Sequence, residues 1–295
     1  MESKWIVSTD WLAEHLDSPD VVVVDASWAL EEETAGVGTP YDDYLDERIP
    51  GAVFFDIDRI ADESTDLPHM LPSPEKFAAE MRRLGIGDGH KVIVYDTFAP
   101  FAAPRAWWMF RYFGHDDVAV LDGGLEKWTL EGHPTESGEP RPRQERHFTA
   151  RPRASLLATL EDVKRALEKG DPPVLDARSP GRFCGQEPEP RPEVPSGHMP
   201  GAKNLHYAKF LNVDGTIKSP EEIRAIFAEA GVDPARRAIF TCGSGVTACM
   251  PALAAAVIGH EDHAVYDGSW TEWALQPDAE IVTEDDPALC EGDEA

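Results

Sequence analysis

The sequence predicts an α/β protein of two tandem domains, each a central, mainly parallel sheet flanked by helices. Three observations lead there. With 295 residues the chain is comfortable as two domains that each bury a core. Short runs such as Val21-Val22-Val23-Val24-Asp25 are apolar on both faces, as a central parallel strand requires. The order of elements in the first half is then replayed in the second.

In the first half, Trp5 to Leu16 reads as an approach strand and a short helix capped by Ser8 or Thr9. Val21 to Asp25 is a strand. Arg48-Ile49-Pro50-Gly51-Ala52-Val53 is a turn into another strand, with Asp56-Ile57-Asp58 at its end. After the proline-stiffened loop Leu67 to Pro72, Pro74 to Leu84 is expected as a helix with Ser73 as cap. Lys91 to Tyr95 is a strand ending at Asp96, Ala106 to Phe113 an aromatic-rich helix, and Val118 to Leu121 a strand before Asp122-Gly123-Gly124-Leu125-Glu126-Lys127-Trp128. The pair Trp107-Trp108 reads as core.

The second half answers in kind. Val174-Leu175-Asp176-Ala177 follows Val23-Val24-Asp25-Ala26 at a spacing of 151, and Met199-Pro200-Gly201-Ala202 follows Ile49-Pro50-Gly51-Ala52 at 150. Gly259-His260 answers Gly114-His115, and Tyr266-Asp267-Gly268-Ser269-Trp270-Thr271-Glu272-Trp273 answers Leu121 to Trp128, both at 145. The expected domains are therefore 1–136 and 154–277. A Pro/Arg/Glu-rich linker at 137–153 separates them, and an acidic tail at 278–295 follows. Asp25 and Asp176 sit at matching strand ends, which argues for structural roles in both copies.

Composition narrows the function classes. Acidic residues outnumber basic ones 55 to 27, a formal charge of −28 that opposes nucleic-acid binding. The excess is spread over Glu31-Glu32-Glu33, Asp42-Asp43, Glu221-Glu222, Glu284-Asp285-Asp286 and the tail, the pattern of a salt-adapted protein from a halophilic host. No apolar run reaches bilayer length, so no membrane partner is expected. Met1-Glu2-Ser3-Lys4-Trp5 lacks the basic and apolar regions of a secretory leader, so a cytoplasmic location is expected. Cys184, Cys242, Cys249 and Cys290 show no metal spacing and indicate no disulfide framework.

The stretch Ile239-Phe240-Thr241-Cys242-Gly243-Ser244-Gly245-Val246-Thr247-Ala248 carries the chemistry. A short strand ends in a Cys-led, glycine-rich loop that opens an Ala-rich helix, expected from about Val246 to Gly259 with Pro251 discordant near its first turn. Gly243 and Gly245 let amides converge on one point, and a helix N-terminus facing Cys242 favours a thiolate. Pairing Val92 to Asp96 with Ala238 to Cys242 sets Asp96 where the second copy has its Cys, so only the second domain owns the nucleophile. A Cys in such a cradle can attack phosphorus or accept sulfur as a persulfide. Phosphate chemistry wants an arginine six positions on, where this chain has Ala248, and sulfur transfer is the better reading.

These residues resemble the tandem-domain rhodanese family, in particular its 3-mercaptopyruvate sulfurtransferase branch, from about Trp5 to about Trp273. The resemblance implies two rhodanese-like domains and a persulfide on Cys242, with the loop amides of Gly243, Gly245, Val246 and Thr247 stabilising negative charge on sulfur. It implies that Arg182 and Arg191 hold the substrate's carboxylate and keto oxygen. It also implies a proton path through Ser244, His69 and Asp58; the residues alone read His69 as a loop histidine and Asp58 as a strand-end cap. Thiosulfate-using relatives typically carry basic residues at the two positions after the Cys, here Gly243 and Ser244. Arg48 stands where the family often places His, and Pro251 interrupts a usually apolar stretch. Partners implied are a small-molecule sulfur donor, a thiol or cyanide acceptor and a thioredoxin-like reductant, with no cofactor. The alternatives are a thiosulfate sulfurtransferase and a persulfide carrier module without a substrate of its own. Cys184 and Cys249 read as small core or loop cysteines before they read as resolving thiols.

Overall fold

Two parallel five-stranded sheets are present in the computed structural model, which describes residues 3–30, 38–97 and 101–284. The acidic run Glu31 to Glu33, residues 285–295 and with them Cys290 lie outside the described residues. The chain divides into two compact units: Met1–Glu63 with Leu71–Arg153 and Asp214–Ile217, and Ser64–Met70 with Ala154–Val213 and Lys218–Ala295.

In the first unit the strands are β1 (Ile6–Val7), β2 (Val21–Asp25), β3 (Val53–Phe54), β4 (Lys91–Tyr95) and β5 (Val118–Leu121), in the order β1-β5-β4-β2-β3. In the second they are β6 (Leu157–Ala158), β7 (Val174–Asp176), β8 (Lys203–Asn204), β9 (Ile239–Thr241) and β10 (Ala264–Tyr266), in the matching order β6-β10-β9-β7-β8. The central strands pair in parallel over their length, Val21 to Asp25 against Lys91 to Tyr95 and Val174 to Asp176 against Ile239 to Thr241. Val22, Val24, Ile93, Val94, Ala119 and Leu121 are fully buried, which explains why these strands read as unbroken apolar runs.

Helix starts follow the capping chemistry in the sequence. Ser8 and Ser73 accept the amides of Trp11 and Lys76, while Thr159 with Asp162 and Ser219 with Glu222 form reciprocal capping boxes. The strand-end cap is Asp56 and not Asp58: Asp56 accepts the Arg59 amide and starts a short helix, Ile57–Ile60, that contains Asp58. The aromatic helix runs Ala103–Tyr112, with Trp107 and Trp108 buried as expected.

The expected linker at 137–153 is instead laid along the first unit. The Gly138 amide bonds Leu45 O at 2.7 Å, Asp88 N bonds His147 O at 3.0 Å, and Arg151 N bonds Phe113 O at 2.7 Å, with Phe148 buried between them. Gly85 and Gly87 make room, since a Cβ on either would lie 2.6 or 2.7 Å from the Arg143 or Arg146 Cβ. Buried Arg48 ties this segment down through Glu136 (3.0 Å) and the Gly138 carbonyl (2.7 Å). The start of the acidic tail is likewise docked, Val282 pairing antiparallel with His198.

Asp96 shows what the first unit does with the position of the Cys. Its carboxylate is buried and accepts the amides of Phe101, Ala102 and Ala103 at 2.6, 3.0 and 2.8 Å, at the start of the helix Ala103–Tyr112. Burial outweighs these donors and pushes the carboxyl up to about 7 from 3.8. The folded chain therefore keeps a proton that the unfolded chain releases, so this stability is whole near pH 4 and is lost as pH rises through 7. Asp96→Asn is expected to unfold with a stability at least ~1 kcal/mol above the parent at pH 8 and to match it near pH 4, read from urea melts at both pH values. Equal offsets at the two pH values would show that folding leaves the Asp96 carboxyl at its ordinary value.

Candidate functional site

The loop after β9 takes its shape from two backbone bonds. Trp270 N donates to Cys242 O at 2.9 Å and Thr271 N to Gly243 O at 3.0 Å, with the Thr271 hydroxyl on the same carbonyl at 2.8 Å. A trans peptide points its N–H opposite to its carbonyl. Fixing these two carbonyls therefore turns the Gly243 and Ser244 amides to the other side of the loop. The amides of Gly243, Ser244, Val246 and Thr247 donate to no protein acceptor among the described residues. Gly245 N, whose residue takes φ +80°, donates to Cys242 Sγ at 3.1 Å. The sulfur is thus met by an amide in a loop with spare donors, and the Cys242 side chain is buried at 2% exposure.

The helix beyond begins later than the sequence suggests, at Cys249 and not near Val246, and ends at Val257. Pro251 then falls in the first turn, where a missing N–H breaks no intrahelical bond, which removes its discordance. The loop proper spans 242–248.

Ser269 is the neighbour of the Cys that sequence reasoning missed. Its hydroxyl oxygen accepts Cys242 N at 3.2 Å, donates to Tyr266 O at 2.8 Å and lies 4.0 Å from Cys242 Sγ. Its φ of +50° is a left-handed conformation that costs a non-glycine residue free energy. The signal lay in the repeat: the matching residue is Gly124, at φ +61°, so a serine kept in a glycine conformation marks a hydroxyl with a local task.

The arginines divide. Arg182, half-buried in the short helix Pro180–Cys184, places Nη2 and Nε on Glu189 at 2.6 and 3.2 Å. Its guanidinium rests on the loop: a Cβ on Gly243 would come within 2.7 Å of Nη2. Glu189 also accepts Arg178 Nη1 at 2.7 Å, and Arg178, wholly buried, grips Asp176 at the end of β7. Burial alone would lower the Arg178 guanidinium, but Asp176 and Glu189 outweigh it and hold it charged. Asp176 is therefore structural, as expected. Arg191 Nη2 lies 3.2 Å from His69 Nε2, and since a guanidinium only donates, that nitrogen must accept. His69 is buried and left-handed, at φ +59°, a strained position for a loop histidine. Asp58 is found in the first unit, where Trp28 Nε1 donates to it at 2.9 Å. Cys249 is a buried thiol whose Sγ donates to Gly245 O at 3.4 Å. Cys184 is buried at the end of the short helix Pro180–Cys184.

The model of the rhodanese-like domain matches residues 8–131 and again 159–276. The chain belongs to the rhodanese family. It is 43% identical over 284 residues to human 3-mercaptopyruvate sulfurtransferase, covering 94% of both chains. It is 40% identical to the Escherichia coli K12 3-mercaptopyruvate sulfurtransferase, covering 95% of this chain and 99% of the relative. It is also 45% identical to a thiosulfate sulfurtransferase of Cricetulus griseus, over 92% of each. The crystal structure of Escherichia coli SseA, described as a 3-mercaptopyruvate sulfotransferase, superposes with a TM-score of 0.82 at 39% identity, covering 90% of this chain and 98% of that one. This rhodanese is accordingly a sulfurtransferase-type enzyme with two rhodanese domains.

Glu189 is the most exposed to test of these contacts, because both guanidiniums depend on one carboxylate whose side chain is only 4% accessible. Glu189→Ala is expected to cost about 3–5 kcal/mol in chemical denaturation, the range for breaking a buried pair. Glu187→Ala, which removes an acceptor for the Ser179 hydroxyl, is expected to cost about 1 kcal/mol or less. Equal losses would remove Glu189 from its central place.

Proposed function

We propose that this rhodanese moves the sulfur of 3-mercaptopyruvate to a thiol or cyanide acceptor through a persulfide on Cys242. The observation that carries the choice of donor is the uncharged loop Cys242-Gly243-Ser244 with the Arg182 guanidinium packed on Gly243. A cation beside the loop, and none within it, suits a donor whose negative charge sits on a carboxylate a few atoms from the transferred sulfur. The thiosulfate alternative is kept in view by the 45% identity to a thiosulfate sulfurtransferase. A pure persulfide carrier would have no use for the Arg182 and Arg191 pair.

In the proposed reaction Arg182 and Arg191 hold the carboxylate and keto oxygen, and the Cys242 thiolate attacks the donor sulfur. An S–S bond forms and the C–S bond breaks, its electron pair passing into the pyruvate enolate, which takes a proton to give pyruvate. Ser244 and His69 are the proposed proton carriers, with Asp58 as the further member that the family resemblance implies. His69 accepting at Nε2 supports an imidazole able to take part. The loop amides of Gly243, Gly245, Val246 and Thr247 stabilise the persulfide anion. The acceptor then attacks the outer sulfur, Cys242 leaves as thiolate, and the acceptor carries the sulfur away; a thioredoxin-like dithiol fits this step as reductant. The charge of −28 supports a salt-rich cytoplasmic setting, and no described helix is long and apolar enough to cross a membrane.

Cys242→Ser should abolish pyruvate release from mercaptopyruvate, and Arg182→Lys should raise KM by about tenfold or more with a smaller change in kcat, since a lysine lacks the fork. Retained turnover in the first variant would refute the nucleophile. A kcat/KM for thiosulfate well above that for mercaptopyruvate, with cyanide as acceptor, would overturn the donor while leaving Cys242 in place. The melting temperature should rise as KCl goes from about 0.1 M to about 2 M, as screening relieves carboxylate repulsion; a fall would count against salt adaptation.

A further inference from the structure

The first unit holds a second concave site that the sulfur chemistry does not use. A cavity of about 550 Å³ is lined by β3, the helix Pro40–Asp46 and the segment 140–143. Four arginines face it, Arg59, Arg83, Arg141 and Arg143, against one lining carboxylate, Asp56. In a chain with 55 acidic and 27 basic side chains, such a collection is the reverse of the surface as a whole.

Partners distinguish the four. Arg59 and Arg83 share Glu80, at 3.5 and 2.8 Å. Asp56 accepts the backbone amide of Arg59. Arg141 and Arg143 make no ion pair or side-chain hydrogen bond among the described residues, although carboxylates outnumber cations two to one, and Arg143 Nε is buried without an acceptor. An unmatched buried donor on a cation is costly unless something else supplies the acceptor. The same cavity carries an aromatic wall. Tyr41 is 41% exposed, unusual for a large ring, and is braced by Tyr44 in a stack at 5.7 Å and by the Phe54 edge at 5.2 Å. The volume lies within the range of small-ligand pockets.

We propose that this cavity binds a mononucleotide-class ligand, its phosphate held by Arg141 and Arg143 and its planar base lying on Tyr41. Guanidinium forks match phosphate oxygens, and a braced ring offers a face to a base at low entropic cost. A bare inorganic anion would leave the aromatic wall unused, and a neutral planar ligand would leave the Arg141 and Arg143 guanidiniums without a counter-charge.

Isothermal titration of the full chain with AMP, adenosine and inorganic phosphate tests this. AMP is expected to bind about tenfold or more tightly than either fragment, and more weakly in about 2 M than in about 0.2 M KCl. Arg141→Ala, at an exposed position that packing tolerates, and the double variant with Arg143→Ala are each expected to weaken AMP by about tenfold or more while sulfur-transfer turnover is unchanged. Absence of AMP binding, or binding unaltered in both variants, overturns the site. Phosphate binding as tightly as AMP overturns the nucleotide assignment, and adenosine binding as tightly as AMP overturns the role of the arginines.

Discussion

The reactive loop depends on two main-chain hydrogen bonds, from Trp270 and Thr271 to the carbonyls of Cys242 and Gly243. They decide which way the loop amides face, and so whether a sulfur at that point meets donors or carbonyl oxygens. The first unit holds the same pair: Leu125 N donates to Asp96 O and Glu126 N to Thr97 O, at 2.9 and 3.1 Å. Since the clamp survives in the copy that has no thiol, it belongs to the scaffold.

What occupies the cradle differs between the copies, and the physics is shared. In the first unit three amides converge on the Asp96 carboxylate, and in the second an amide meets the Cys242 sulfur. Both are places where backbone donors await an acceptor at the head of a helix or loop. The carboxylate gathers all three amides on one oxygen, Oδ2. A single sulfur atom leaves donors over, which a persulfide would need. The matching tryptophans behave alike as well: Trp128 and Trp273 donate from Nε1 to the carbonyls of Pro134 and Glu280, so the repeat extends past the expected end of the second domain.

Much of this was legible because parallel strands and capped helices write themselves in short local patterns. Val21 to Asp25, Lys91 to Tyr95 and Val118 to Leu121 are strands as read, and Ser73 is a cap as read. The exceptions share a cause. Residues 137–153 have the composition of a linker, yet Phe148 and the backbone bonds of Gly138 and Arg151 lay them on the first unit, and no local pattern encodes docking to a distant surface. The late helix start at Cys249 goes with the loop's clamped carbonyls, which lie 28 residues from their donors. Arg178 escaped notice because its partners, Asp176 and Glu189, meet only when the loop folds back on the strand end. Ser269 could have been found, since the repeat set it against a glycine.

Placement of the substrate-facing charge follows from the same economy of position. A chain of net charge −28 repels an anionic donor at long range, so attraction has to act at contact distance. A cation free on the loop would be drawn toward the many surrounding carboxylates. Arg182 is instead held from behind by Glu189, itself held by the buried Arg178 and, through it, by Asp176 at the strand end. The four groups sum to no net charge, which makes their burial tolerable. With one edge of its fork committed to Glu189, Arg182 is fixed in direction, and Gly243 lets Nη2, the nitrogen that also bonds Glu189, approach the loop. A side chain at position 243 and an arginine at 182 compete for one volume. Under the role proposed for Arg182, a basic residue in the loop and a guanidinium beside it are alternative ways to meet an anion, and this chain has the second.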